Sequence, residues 1–258
     1  MVRKKTIKLF MLALSLVYIQ SFPPSVLAES TIRFIPSQKI PTPDKKGTPD
    51  NDTGTGSRSQ TNCPQKDIPL TPLVGGKENL ELTLTTSTHP TFWFYVPYTA
   101  EEVVSGEFYL QDQEGNNIFE TKITLPTEPG IIGISLPPEI KPLEINYQYR
   151  WYLVINCPEI EGENNSSPAW VEGLVQKIPQ EQITTFSTLP PLERIEIYAE
   201  NGIWYDTLTE LAKLKIAQPN SQELITIWSN LLNSSTVGLE TVSQKPILGI
   251  INNLVISP

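Results

Sequence analysis

The sequence predicts a mainly β protein, an immunoglobulin-like antiparallel β-sandwich with a packed C-terminal helical segment. Three observations lead there. Apolar residues alternate in short runs between residues 80 and 178, turn residues separate those runs, and the apolar spacing changes to three and four past Pro190. Twenty-four prolines among 258 residues, nearly twice the ~5% average, punctuate short segments and favour strands over long helices.

The chain opens with Arg3, Lys4, Lys5 and Lys8, then an apolar run from Leu9 to Ile19, then Ser21, Pro23 and Pro24. A charged start, an apolar middle and a helix-breaking exit describe a signal peptide over residues 1–28, with cleavage after Ala28. The run is shorter than the roughly 20 apolar residues that span a bilayer. No later stretch is long and apolar enough, so the mature chain is expected to have no membrane span and to be exported, periplasmic or extracellular. Removing the four signal cations from the net charge of −9 leaves −13 on the mature chain. Such a chain repels polyanions, which argues against nucleic acid and anionic lipid as partners.

Residues 29–66 form a Pro/Thr/Gly-rich leader with Ile32, Phe34, Ile35 and Ile40 as its bulky apolar residues. That composition predicts a flexible segment. Cys63 and Cys157 are the two cysteines, and in an exported chain they are predicted to form a disulfide.

The sandwich domain is read over residues 67–180. Leu80, Leu82 and Leu84 alternate with polar neighbours, the period of a half-buried strand. Further strands follow at Phe92–Val96, Gly106–Gln111, Asn117–Leu125, Ile131–Leu136, Tyr147–Asn156 and Trp170–Ile178, with Glu114-Gly115-Asn116-Asn117 as a hairpin turn. The stretch from Ile140 to Tyr149, with Pro142 and Tyr147, suggests a tyrosine corner.

Residues 181–258 read as a helical segment packed on the sandwich. Leu192, Ile195, Tyr198 and Ala199 sit three or four apart, as do Trp204, Leu208, Leu211, Ala212 and Leu214. Asn201-Gly202 separates these helices, and Pro219-Asn220-Ser221 offers a break and an N-cap before Leu224, Trp228, Leu231 and Leu232. A helical pair cannot bury its apolar stripe alone, so it is expected to dock on the sheets.

Several ordered segments carry a family resemblance: PTFWFYVPY from Pro90, YLQDQEGNNIFE from Tyr109, PGIIGISLP from Pro129, YQYRWYLVINC from Tyr147, WVEGLVQK from Trp170 and YAENGIWYDTLTELAKL from Tyr198. Together they resemble the cyanobacterial family called domain of unknown function 928, over roughly residues 54–240. The resemblance implies export and supplies no activity. The chain departs from the family pattern at Asn164–Ser167, where an Arg-containing turn is usual, and at Leu174, where a Trp is usual.

Catalysis has few candidates. The only histidine is His89, so a Ser-His-Asp or Cys-His arrangement must be built on that residue. Bridged cysteines leave no thiol nucleophile, and no metal or cofactor is expected. Glu102, Glu107, Asp112, Glu172, Glu200 and Asp206 are loose candidates for the two acids of a glycoside hydrolase. The aromatic residues say more. Strand period places Phe92, Phe94 and Val96 on one face and Trp93 and Tyr95 on the other. Trp93, Tyr95 and Tyr98 thus form either a stacking platform for a ligand or a seat for the helices with Trp204 and Tyr205, the seat being favoured. The expected function is non-enzymatic: a protein-binding or scaffold domain whose partner is a cell-envelope protein. Carbohydrate binding to a glycan is the first alternative and glycoside hydrolysis the second.

Overall fold

The computed structural model describes residues 32–36, 62–75, 82–159, 167–179, 188–251 and 255–256. The segment read as a signal peptide and most of the stretch read as a leader lie outside these residues. Among the described residues ten strands and three α-helices follow in order: β1 Thr71–Pro72, β2 Leu82–Thr85, β3 Thr91–Val96, β4 Ser105–Gln111, β5 Asn117–Ile123, β6 Gly130–Ser135, β7 Gln148–Asn156, β8 Ala169–Lys177, α1 Pro191–Glu200, α2 Trp204–Ala217, α3 Gln222–Leu232, β9 Ile247–Ile251 and β10 Val255–Ile256. The seven strands expected from alternation are β2 to β8.

The strands form two sheets, ordered β1-β3-β6-β9 and β10-β5-β4-β7-β8-β2. They face each other across a core of Phe92, Phe94, Phe108, Leu110, Trp151, Leu153 and Ile155, all at most 1% exposed. The pairing is mixed and departs from the expected antiparallel sandwich. β2 runs parallel to β8, and β9 runs parallel to β6. Parallel neighbours need a long connection, and here the helices supply it for β9.

A second core lies on the other face of the four-stranded sheet. Trp93, Tyr95 and Ile131 leave that face and meet Ile195, Trp204, Leu208, Leu211, Trp228 and Leu231 from the three helices. Every residue of β3 is therefore buried. The molecule has three layers: six-stranded sheet, four-stranded sheet, helices. Their faces match the two periods in the sequence, two along the strands and 3.6 along the helices. Ser221 caps α3 as its sequence suggests, its side chain accepting from the Leu224 N–H at 3.4 Å.

Four features differ from the sequence reading. First, Ile247–Ile251 and Val255–Ile256, read as part of a helical segment, are strands that add one edge to each sheet. Their Ile-rich composition lacks polar residues at helical spacing, and sheet pairing decides the outcome. Second, residues 32–36, read as flexible leader, are docked: Ile32 and Phe34 are 4% and 2% exposed in the helix-side core. Two apolar anchors suffice once a groove exists to receive them. Third, β2 is buried on both sides, with Thr83 and Thr85 as enclosed as Leu84, because α2 packs over it. Fourth, the tyrosine corner is made by Tyr149, whose hydroxyl accepts from the Glu144 N–H at 3.0 Å. Tyr147 turns outward and donates to Glu114 at 2.6 Å.

Cys63 and Cys157 are bonded, tying the segment before β1 to the end of β7. Because the bond closes a separation of 94 residues, chain-entropy reasoning gives it about 4 to 5 kcal/mol at most.

Gly173 on β8 shows how tightly the first core is filled. A Cβ there would lie 2.1 Å from Cζ2 of Trp151, which is itself 1% exposed. Gly173→Ala is expected to lower stability by about 1–3 kcal/mol through overpacking. Urea unfolding of the variant beside the parent checks this; an unchanged midpoint would show that Trp151 has room to move.

Candidate functional site

The residues with the most chemistry gather where α2 crosses the end of β2 and the start of β3. Its first turn reads Trp204-Tyr205-Asp206-Thr207, and each side chain leaves in a different direction. Tyr205 enters the inter-sheet core, where its hydroxyl accepts from Trp151 Nε1 at 2.7 Å and donates to the Leu174 carbonyl at 3.0 Å. Trp204 fills the helix-side core and donates Nε1 to the Leu73 carbonyl at 2.7 Å. One turn on, Thr209 receives the indole N–H of Trp93 at 3.0 Å. Asp206 reaches back to the loop after β2. Its carboxylate accepts from Thr85 Oγ1 at 2.6 Å, from Thr86 Oγ1 at 2.6 Å and from the Thr86 N–H at 3.1 Å.

Beside this joint lies a cleft of about 140 Å³ lined by Ser87, His89, Thr91, Tyr198, Asp206, Thr209, Glu210 and Lys213 among others. Glu210 is held by Arg194 at 2.9 Å and by Lys213 at 3.4 Å. His89 is occupied as well. The Ile140 carbonyl lies 3.1 Å from Nε2, and Thr88 Oγ1 lies 3.1 Å from Nδ1. A carbonyl only accepts, so Nε2 carries the proton and Nδ1 faces the hydroxyl. Neither ring nitrogen is directed at a serine nucleophile.

Burial, helped by the nearby Glu210 carboxylate, pushes the Asp206 carboxyl above its ordinary value, while the bonds from Thr85 and Thr86 pull it down. Burial also raises the Tyr205 hydroxyl, which therefore stays protonated as its bond to Leu174 requires.

The five aromatic candidates are all interior. Trp93, Tyr95 and Trp204 lie in the helix-side core, and Tyr98 and Tyr205 in the inter-sheet core; none is more than 5% exposed. Lys245 lies 5.8 Å over the Tyr95 ring and Lys66 5.9 Å over Tyr98. The loose carboxylate candidates are dispersed. Glu102 sits before β4, held by Lys66 at 2.5 Å and kept below the usual carboxylate range by that contact. Glu107 accepts from Tyr109 on β4, and Asp112 organises the β4–β5 turn through Glu114 and Asn116. Glu172 pairs with Arg150 at 2.8 Å on the outer face of β7 and β8, and Glu200 is exposed at the end of α1. Only Asp206 of the six reaches the cleft.

Sequence reasoning missed Glu210, Lys213 and Thr209. The available signal was Asp206, Glu210 and Lys213 at intervals of four and three, a polar stripe on an otherwise apolar helix. Among the described residues no cluster of three or more His, Cys, Asp or Glu side chains is placed to hold a metal ion.

A family model described as Domain of Unknown Function (DUF928) matches residues 53–247. The chain belongs to this family. No curated protein and no solved structure matches the chain. The DUF928 match takes in the Cys63–Cys157 bond, the junction cleft and all three helices, and it ends where β9 begins. Of the two positions read as departures from the family pattern, Leu174 is 1% exposed and its carbonyl also accepts from Thr83 at 2.9 Å. The Asn164–Ser167 turn falls largely outside the described residues.

Two measurements probe the joint. Tyr205→Phe strips Trp151 Nε1 of its acceptor in a dry core and is expected to cost about 1–3 kcal/mol in denaturant unfolding; a change within error would mean the bond is dispensable. Asp206 gives a pH test. An acid with a raised folded pKa contributes stability below its unfolded value, near 3.9, and loses it as pH rises through the folded value. The stability of the parent relative to Asp206→Asn should therefore fall as pH rises above about 4, and a flat or rising difference would contradict the assignment.

Proposed function

We propose that the mature chain is an exported, non-enzymatic protein-binding or scaffold domain that recognises a protein of the cell envelope. The observation that carries this reading is the enclosure of Trp93, Tyr95, Tyr98, Trp204 and Tyr205. A sugar-stacking site needs an exposed aromatic face, and these five rings serve as packing instead. The size of the cleft supports the same view. At about 140 Å³ it is well below the roughly 300–1,000 Å³ of ordinary small-molecule pockets. Its two carboxylates, Asp206 and Glu210, already have partners within the protein, so a hydrolytic pair has little support.

Export is supported by the charged and apolar start of the sequence and by a disulfide, a bond that persists in oxidising compartments. Among the described residues no helix is long and apolar enough to cross a membrane. With glycan stacking and hydrolysis least supported, the outer surface of the three-layer body is left as the means of recognition.

Immobilised chain from Glu29 onward, offered solubilised envelope material, should retain one protein at near one-to-one yield and hold it against soluble glycans. Retention of glycan alone would overturn the reading in favour of a carbohydrate-binding module.

A further inference from the structure

Residues 32–36 occupy a groove between the end of α1, the first turn of α2 and Leu73–Gly75. The segment is extended and alternates. Ile32 and Phe34 point in, while Arg33, Ile35 and Pro36 are exposed, Ile35 to 48%. Phe34 meets the Trp204 ring edge-on at 4.8 Å. The groove floor is cut for it: a Cβ on Gly75 would lie 2.9 Å from Phe34 Cε1 and 3.0 Å from Trp204. Two hydrogen bonds to the segment's backbone complete the fit, Ile35 N–H donating to the Ala199 carbonyl at 3.0 Å and Thr236 Oγ1 donating to the Phe34 carbonyl at 3.4 Å.

This is how an extended peptide occupies a groove, with alternate side chains as anchors and the backbone supplying register. The occupant lies outside the 53–247 family match, and no regular secondary structure ties it to its neighbours. We propose that the groove is an exchangeable docking site whose partner in trans is the 32–36 segment of a second copy of this chain. The argument rests on fit and reach. The sequence known to fill the groove is its own, and every copy carries it. Residues 37–62 lie between it and Cys63, a length of sequence that spans at most about 90 Å. The Cys63–Cys157 bond anchors the far end of that connection to the sandwich. A segment that leaves its own groove thus stays attached and reaches a neighbour, where it makes the same contacts, the condition for segment exchange between copies. Docking in cis faces an effective concentration on the order of millimolar, so dilute chains stay monomeric and crowded ones exchange. The inference deepens the scaffold reading above, with a second copy as the partner, but does not depend on which envelope protein is captured.

Complementary variants of the chain from Glu29 onward test it. Phe34→Ser removes the main anchor and leaves an accessible groove, and Gly75→Leu fills the groove and frees an intact segment. Each alone should sediment as a monomer. Mixed, they should form a one-to-one heterodimer at concentrations where neither self-associates. A mixture that stays monomeric with both variants folded by near-ultraviolet circular dichroism overturns the proposal. If Gly75→Leu does not fold, a labelled Glu29–Pro36 peptide replaces it; binding to Phe34→Ser at least tenfold tighter than to the parent supports exchange, and equal or absent binding refutes it. In the parent itself the Ile35 amide should exchange hydrogen well before the β3 amides, and exchange only on global unfolding would mean the segment never leaves. None of these outcomes alters the envelope-capture result, so the two readings fail separately.

Discussion

The hydroxyl of Tyr205 is the point on which the three layers depend. It sits on a helix, penetrates the core between the sheets, accepts from a tryptophan of β7 and donates to the backbone of β8. One side chain thus reaches from the helical layer into the core between the sheets and bonds two strands of the six-stranded sheet. Around it Trp204, Asp206 and Thr209 bind the Leu73 carbonyl, the hydroxyls of Thr85 and Thr86 with the Thr86 N–H, and the Trp93 indole. A buried polar group with its full set of partners fixes geometry more strictly than apolar packing does, since any shift of the helix leaves several donors unpaired at once. Helix α2 is therefore set in both rotation and height over the sheets.

That arrangement explains why the chemistry at the joint looks like a site and serves as a fastening. Carboxylates, hydroxyls and a histidine cluster there, yet Asp206, Glu210 and His89 are each engaged by neighbours from another turn, helix or loop. The surfaces available to a partner lie elsewhere, and the groove filled by Ile32 and Phe34 has a shape and chemistry already matched to a peptide.

Much of this was legible in the residues. The alternation of Phe92, Phe94 and Val96 against Trp93 and Tyr95 gave both cores and the seat for the helices, because a strand has only two faces and both were apolar. Ser221 announced α3, and two cysteines in a chain read as exported announced their bond. What was hidden is non-local. Ile247–Ile251 carries no periodic signal distinguishing a strand from a buried helix turn, and only the open edge of β6 decides. Ile32 and Phe34 look too few to order a segment until Gly75 and Trp204, far along the chain, are seen to shape a groove for them. Tyr147 and Tyr149 both suit a corner, and the strand register alone chooses between them. Glu210 acquires meaning only when Arg194 is brought beside it.

The last two strands carry a consequence for how the molecule forms. Strand β9 finishes one sheet and β10 the other, although every other described element precedes them in the chain. β9 joins β6, with Ile131 opposite Ile247, across more than a hundred intervening residues, and contacts so distant in sequence form slowly. During emergence from the N-terminal side, each sheet keeps a bare edge until these strands arrive. A chain made from its N-terminus therefore carries two unpaired strand edges, those of β6 and β5, until β9 and β10 join them.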